Sequence, residues 1–233
     1  MAGFFAIGMV MINSYEINEL EKKESWRLFR IIGEFVEGFD VLPQFLPAVT
    51  IYGSARIKEG HPYYNLARNL AQALVEEGFS VLTGGGPGIM EAANRGAKDK
   101  GGHSIGLNIE LPMEQTANPY LTFGLSFRYF FVRKVMLVKY ATAFFLLPGG
   151  LGTLDELFET LTLIQTRKIR PFPVVLLGTE YWAGLIDWIR ARALAEGMIS
   201  EADMRLFHVT DDVQEAVNLV KESVKERGQF SPP

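Results

Sequence analysis

From Ala48 onward the chain alternates short apolar runs with longer segments of helical periodicity, and this alternation constrains the fold more than any other feature. The runs are VTIYG at 49–53, FSVLT at 79–83, HSIGL at 103–107, LTFGLSF at 121–127, TAFFLL at 142–147, PVVLLG at 173–178 and FHVT just before 211. Between them lie helix-type segments at 62–77 and 88–100, one through Arg133, one from about Thr153, one through Trp188 and a last at 211–226. Strands that are apolar on both faces and separated by helices imply a parallel sheet covered on both sides and joined by right-handed crossovers. The expected fold is α/β: a Rossmann-like three-layer α/β/α sandwich with a mainly parallel sheet over 48–227, followed by a flexible tail at 228–233. In such sheets ligands sit at the carboxyl ends of the strands, so chemistry is expected at the strand-to-helix turns.

Ahead of the sheet, Ile17, Leu20, Leu28, Ile31, Ile32, Phe35 and Phe39 recur at helical steps among charges such as Glu21, Lys22 and Lys23. The spacing predicts an amphipathic helical arm over 16–39, ended by Pro43 and Pro47, so that 1–47 form an N-terminal extension. The first 15 residues carry no side-chain charge and are apolar from Gly3 to Ile12. They lack the basic start and small-residue cleavage site of a secretory signal, and fall short of the ~20 apolar residues of a spanning helix. A flexible extension or a strand packed on a neighbour is expected there, and no membrane association.

With 48% of 233 residues hydrophobic and 21% charged, the chain can bury a sizeable core. Its 23 Lys and Arg against 27 Asp and Glu leave a net charge of -4, which supplies no broad attraction for nucleic acid. Cysteine is absent, which excludes disulfides, thiolate metal sites and cysteine nucleophiles and fits a cytoplasmic protein. His61, His103 and His208 lack metal-ligand spacing and are expected to be structural, with no metal bound. Trp182 and Trp188 are expected to pack in the core of their helix, and Phe127, Tyr129, Phe130 and Phe131 to serve core or interface.

Two strand-to-helix turns hold far more glycine than a connection requires: Thr83-Gly84-Gly85-Gly86-Pro87-Gly88-Ile89-Met90-Glu91 and Pro148-Gly149-Gly150-Leu151-Gly152-Thr153-Leu154-Asp155-Glu156. Glycine allows a close backbone approach, and the free amides of a helix start present donors and a positive dipole end to an anion, for which phosphate is the natural guest. Neither turn has the lysine of a Walker A loop, and a dinucleotide fingerprint built on Gly84 and Gly86 would need a third glycine where Ile89 stands.

Residues 148–156 match PGGxGTxxE, and with TGGGPGIME the chain resembles the Lonely Guy family of nucleotide phosphoribohydrolases, often labelled lysine decarboxylase-like. The resemblance runs from about Val49 to Val220 and includes GSA at 53–55 and the Arg133-Lys134 pair within FRYFFVRKVML. It implies a cofactor-independent N-glycosyl hydrolase that releases the free base and ribose 5-phosphate from adenosine 5′-monophosphates, the cytokinin type carrying an N6 substituent. It also implies Glu156 and Arg133 as catalytic residues. Departure of the base leaves an oxocarbenium-like ribose, which a carboxylate such as Glu156 would stabilise while orienting the attacking water. The guanidinium of Arg133 would orient that carboxylate or the ribose hydroxyls.

Substrate binding is assigned to Gly53 and Ser54 at the end of the first strand, to Gly84, Gly85, Gly86, Gly88, Met90 and Glu91 in the first glycine turn, to Lys134, and to Pro148, Gly149, Gly150, Gly152 and Thr153 in the second. The family pattern further implies a homodimer or larger homo-oligomer, with the arm and the aromatic helix around Arg133 burying their apolar faces between chains. Two alternatives stand beside the leading reading: a broad-specificity nucleoside 5′-monophosphate nucleosidase, and a non-catalytic carrier of the molybdenum cofactor kind. A pyridoxal-phosphate decarboxylase is disfavoured, since nothing marks a Schiff-base lysine or a partner for the pyridine nitrogen.

Overall fold

The computed structural model describes residues 24–111 and 117–226; the expectations for 1–15, for arm residues 16–23 and for the tail fall outside them. Strands β1 (Ala48–Tyr52), β2 (Ser80–Thr83), β3 (Ser104–Ile109), β4 (Phe123–Phe127), β5 (Ala141–Leu146), β6 (Val174–Leu177) and β7 (His208–Thr210) form one sheet in the order β4-β3-β2-β1-β5-β6-β7. All of these pairings are parallel. The helices are α1 (Glu24–Val41), α2 (Pro62–Glu76), α3 (Ile89–Asp99), α4 (Phe130–Lys139), α5 (Leu151–Gln165), α6 (Thr179–Trp188) and α7 (Val213–Glu226).

Burial on both faces explains why the strand sequences run apolar without alternating polar residues. Ala143, Phe145 and Leu147 of the β5 segment join a core with Leu70 and Leu74 of α2, Ala92 and Ala93 of α3, and Val217 and Val220 of α7. Phe144 and Leu146 point the other way, into a core with Met136 and Leu137 of α4, Leu157 of α5 and Trp182 of α6. Each large apolar side chain buried in this way contributes about 1.5–3 kcal/mol. The layers are therefore α2, α3 and α7 on one face and α4, α5 and α6 on the other, which is the sandwich expected. A buried hydroxyl needs a partner, and that of Thr50 in β1 donates to the Leu137 carbonyl at 3.0 Å, tying the central strand to α4.

The chain leaves β1 towards β2, β3 and β4 on one side and returns to β5 on the other. Loops that leave two adjacent strands in opposite directions open a crevice at their carboxyl ends. Here that crevice lies between the turn after Tyr52 and the turn after Leu146. The two turns are stitched together by the Ser54 amide donating to the Pro148 carbonyl at 3.0 Å and the Leu147 amide to Tyr52 at 2.9 Å.

Some expectations shift. The helix expected from about Thr153 already starts at Leu151. Trp182 is buried and donates its indole N–H to the Leu177 carbonyl, whereas Trp188, at the last turn of α6, is largely exposed and packs into no core. Among the described residues no helix is long and apolar enough to cross a membrane.

Candidate active site

A cleft of about 900 Å³ opens at the crevice between β1 and β5. Its rim on one side is the second glycine turn. Gly150 caps α5 without any side-chain hydrogen bond, and Gly150, Leu151 and Gly152 line the cleft, which puts the positive end of the helix dipole at its rim. The turn is held from behind: the Tyr181 hydroxyl donates to the Gly149 carbonyl at 2.6 Å, and Gly149 sits so close to the Thr153 hydroxyl that an added Cβ would lie 2.1 Å from it. Gly150 and Gly152 are different. A Cβ on either would meet nothing within 4 Å, and neither has a positive φ. Packing and backbone conformation leave both positions free to carry a side chain, so their bareness serves the open space beside them.

The opposite rim comes from the turn after β1. Gly53 presses against Ile89, and the Ser54 hydroxyl accepts from the Arg56 amide at 3.1 Å, which leaves its own proton for a guest. Arg56 brings a cation to the same wall. Beyond it, Met90, Ile109, Leu111, Phe130 and Leu137 form an apolar wall.

The floor holds buried polar atoms on three side chains, the Tyr52 hydroxyl, Arg133 Nε and Glu156 Oε2; Tyr52 and Glu156 interact with each other, and Arg133 Nε has no hydrogen-bond partner. Glu156, in the second turn of α5, is 4% exposed. Burial raises its carboxyl to about 7, against the pull of the nearby Lys134 and Arg133 charges. Burial likewise draws the Arg133 guanidinium below its usual value, the charge of Glu156 offsetting part of the effect. Tyr52 is held well above the ordinary phenol range by burial and then by Glu156. Unpartnered buried polar groups are costly and cluster where a ligand or water completes them.

Of the residues assigned from sequence, Gly53, Ser54, Gly84, Met90, Arg133, Pro148, Gly149, Gly150, Gly152, Thr153 and Glu156 line this one cleft. Gly85, Gly86, Gly88, Glu91 and Lys134 do not. Gly85 has φ 70° and lies against the Asn108 side chain; Gly88 has φ 74°, with an added Cβ 2.3 Å from the Ser54 carbonyl oxygen. The carbonyls of Gly85 and Gly86 accept from Asn118 Nδ2 at 3.1 and 3.0 Å. The first glycine turn is thus shaped by its own packing, and only Gly84 and Met90 of it reach the cleft. Glu91 accepts from the Tyr64 hydroxyl at 2.9 Å, drawn towards α2. Lys134 bridges Asp155 and Glu159, each at 2.8 Å, and these bonds outweigh burial to keep its ammonium above the usual value. His61 serves as the N-cap of α2, its Nδ1 accepting from the Tyr63 amide, although it also borders the cleft.

Sequence reasoning missed Tyr52, Arg56, Tyr63, Leu111 and Tyr181. The rule that ligands sit at strand ends could have found Tyr52, the last residue of β1. Tyr181 belongs to a helix far along the chain, and no local pattern announces it.

A profile of the family described as "Possible lysine decarboxylase" matches residues 90–220. The chain is 33% identical over 182 residues to the cytokinin riboside 5′-monophosphate phosphoribohydrolase LOG of Oryza sativa subsp. japonica, covering 75% of this chain and 72% of that one. It belongs to the Lonely Guy family. A further Lonely Guy relative, the cytokinin riboside 5′-monophosphate phosphoribohydrolase of Rhodococcoides fascians, is 29% identical over 180 residues, 75% of this chain and 89% of the relative. Among solved structures, a Moco carrier protein from Chlamydomonas reinhardtii shares the fold with a TM-score of 0.54 at 25% identity, covering 77% of this chain and 98% of that one. A structural-genomics crystal structure aligns with a TM-score of 0.58 at 26% identity over 75% of this chain and 98% of that one. The Lonely Guy pattern therefore coincides with the cleft, its PGGxGTxxE segment supplying both the rim and Glu156.

Proposed function

We propose that the protein hydrolyses the N-glycosidic bond of adenosine 5′-monophosphates, with N6-substituted forms as preferred substrates, releasing the base and ribose 5-phosphate. The observation that carries this reading is the buried Glu156 carboxyl beside Arg133, at the floor of a cleft whose rim is an uncapped helix start. A 5′-phosphate fits the amides of 150–152, with the Ser54 hydroxyl and Arg56 from the opposite rim. The ribose then lies over Glu156. As the C1′–N bond lengthens, the electron pair leaves with the base and positive charge develops on C1′ and the ring oxygen. The ionised carboxylate stabilises that charge and orients the water, whose oxygen bonds to C1′; the carboxylate takes the proton that the water loses, and that proton ends on the nitrogen of the departing base. Arg133 steadies the carboxylate and the ribose hydroxyls. The apolar wall of Met90, Ile109, Leu111 and Phe130 suits a base bearing an apolar N6 group, which is the support for the cytokinin type.

The relatives named as phosphoribohydrolases support the same reaction class. The test is to incubate the purified protein with AMP and with N6-isopentenyl-AMP and to measure free base. Faster release from the isopentenyl form supports the reading, and equal rates on all nucleoside monophosphates identify a broad nucleosidase. The likeness to a carrier structure makes tight pterin binding without turnover the outcome that would replace catalysis by carriage.

A further inference from the structure

Helix α1 forms no part of the cleft, yet its contacts converge on the helix that carries Arg133. At the start of α4 its own N-cap residue, Tyr129, makes no side-chain hydrogen bond to cap the helix. The cap comes from the arm instead: Glu34 Oε1 accepts from the Arg128 amide at 3.0 Å, and Oε2 from the Tyr129 amide at 3.3 Å. A carboxylate at that position also meets the positive end of the α4 dipole. The arm is seated by further contacts along the same helix. The Arg27 guanidinium lies over the Tyr129 ring at 5.5 Å, and the Lys139 ammonium over the Phe39 ring at 5.3 Å. Gly38 backs onto Met136 so closely that an added Cβ would lie 2.6 Å from the sulfur. Glycine weakens a helix interior, and here it admits the approach of the two helices.

The link to the site is one residue long. Tyr129, whose amide Glu34 accepts, offers its carbonyl to the Arg133 amide at 3.2 Å. We propose that Glu34 is a positioning residue: the arm's carboxylate fixes the first turn of α4 and, through Tyr129, sets where the Arg133 guanidinium enters the cleft. This inference rests on the reading of Arg133 as a catalytic group. The glycine rim and Glu156 stand on the turn after β5 and on α5, whereas Glu34 bonds to Arg128 and Tyr129, so loss of Glu34 lowers turnover while the grip on the phosphate persists.

The experiment compares Glu34→Ala and Glu34→Gln in the full chain, each with and without Arg133→Ala. In Glu34→Ala, hydrogen exchange over 128–134 is expected to become markedly faster, while peptides from β5 and α5 keep their protection. Turnover of AMP is expected to fall about 10-fold or more with KM within about two-fold, as follows from a misplaced catalytic group. Glu34→Gln, which keeps one acceptor oxygen, recovers part of the loss. In the Arg133→Ala background the Glu34 change costs nothing further, because its effect passes through that guanidinium. Unchanged exchange over 128–134, or an equal loss of turnover in the Arg133→Ala background, would overturn the proposal. If the unaltered protein releases no base from any nucleoside monophosphate, the reading of Arg133 is what fails, and exchange still decides whether Glu34 fixes the turn.

Discussion

Removing a carboxyl from water disfavours its ionised form, and for Glu156 this moves protonation into the physiological range, to about 7. Two outcomes follow. Glu156→Gln should lower base release from AMP by about 100-fold or more, since the amide can neither balance positive charge nor accept strongly from water. In the unaltered enzyme, kcat/KM should fall as the pH drops through about 7, because the working form is the carboxylate. Stability runs in the opposite sense. The folded-state value lies above that of a free carboxyl, so the native protein binds more protons than the unfolded chain between about pH 4.5 and 7 and loses stability as the pH rises through that window. Thermal melts from pH 5 to 8 should show this decline, and Glu156→Gln should make it shallower. Glu156 and Arg133 were legible in the sequence as parts of a motif. Their environment was not, because burial is a property of the folded chain. Glu91 shows the reverse case: an acid well placed in a first helical turn, which a tyrosine 27 positions earlier draws away from the cleft.

Turns are the element at which sequence and structure part company. Both glycine-rich segments read as anion cradles, and in composition they are near equals. Distances separate them: glycine in the first is demanded by neighbouring atoms and by positive φ, whereas Gly150 and Gly152 in the second face empty space. Substitution should expose the distinction. Gly88→Ala meets the Ser54 carbonyl and a disfavoured φ, and should cost about 2–5 kcal/mol in urea unfolding. Gly152→Ala improves helix propensity and should leave the fold unharmed or stabilise it by about 0.5–1 kcal/mol, yet raise KM several-fold because the methyl stands where the substrate must come. A Gly152→Ala protein with unchanged KM would remove the phosphate from that helix start.

At the scale of the molecule, the order of strands and helices was readable because doubly buried strands leave uninterrupted apolar runs. The wall of the cleft was not, since it gathers side chains from β1, β3, α3, α4 and α6, which only the sheet order brings together. Nor does the sequence say which apolar residues remain uncovered. Trp26, Phe29, Ile32 and Val36 lie on α1 at helical spacing, and the first two are 67% and 65% exposed. Single exposed apolar residues are ordinary, but a stripe of four is a surface for association. Light scattering should therefore report an assembly larger than one chain, and Phe29→Glu with Ile32→Glu should reduce its mass without lowering helicity. The cleft also offers two kinds of surface: main-chain amides on the glycine rim, and exchangeable side chains such as Met90, Ile109 and Phe130 on the apolar wall. Amides are indifferent to most substitutions, so on the proposed reading changes at Met90, Ile109 or Phe130 would alter which leaving group is accepted and spare the hold on the sugar phosphate.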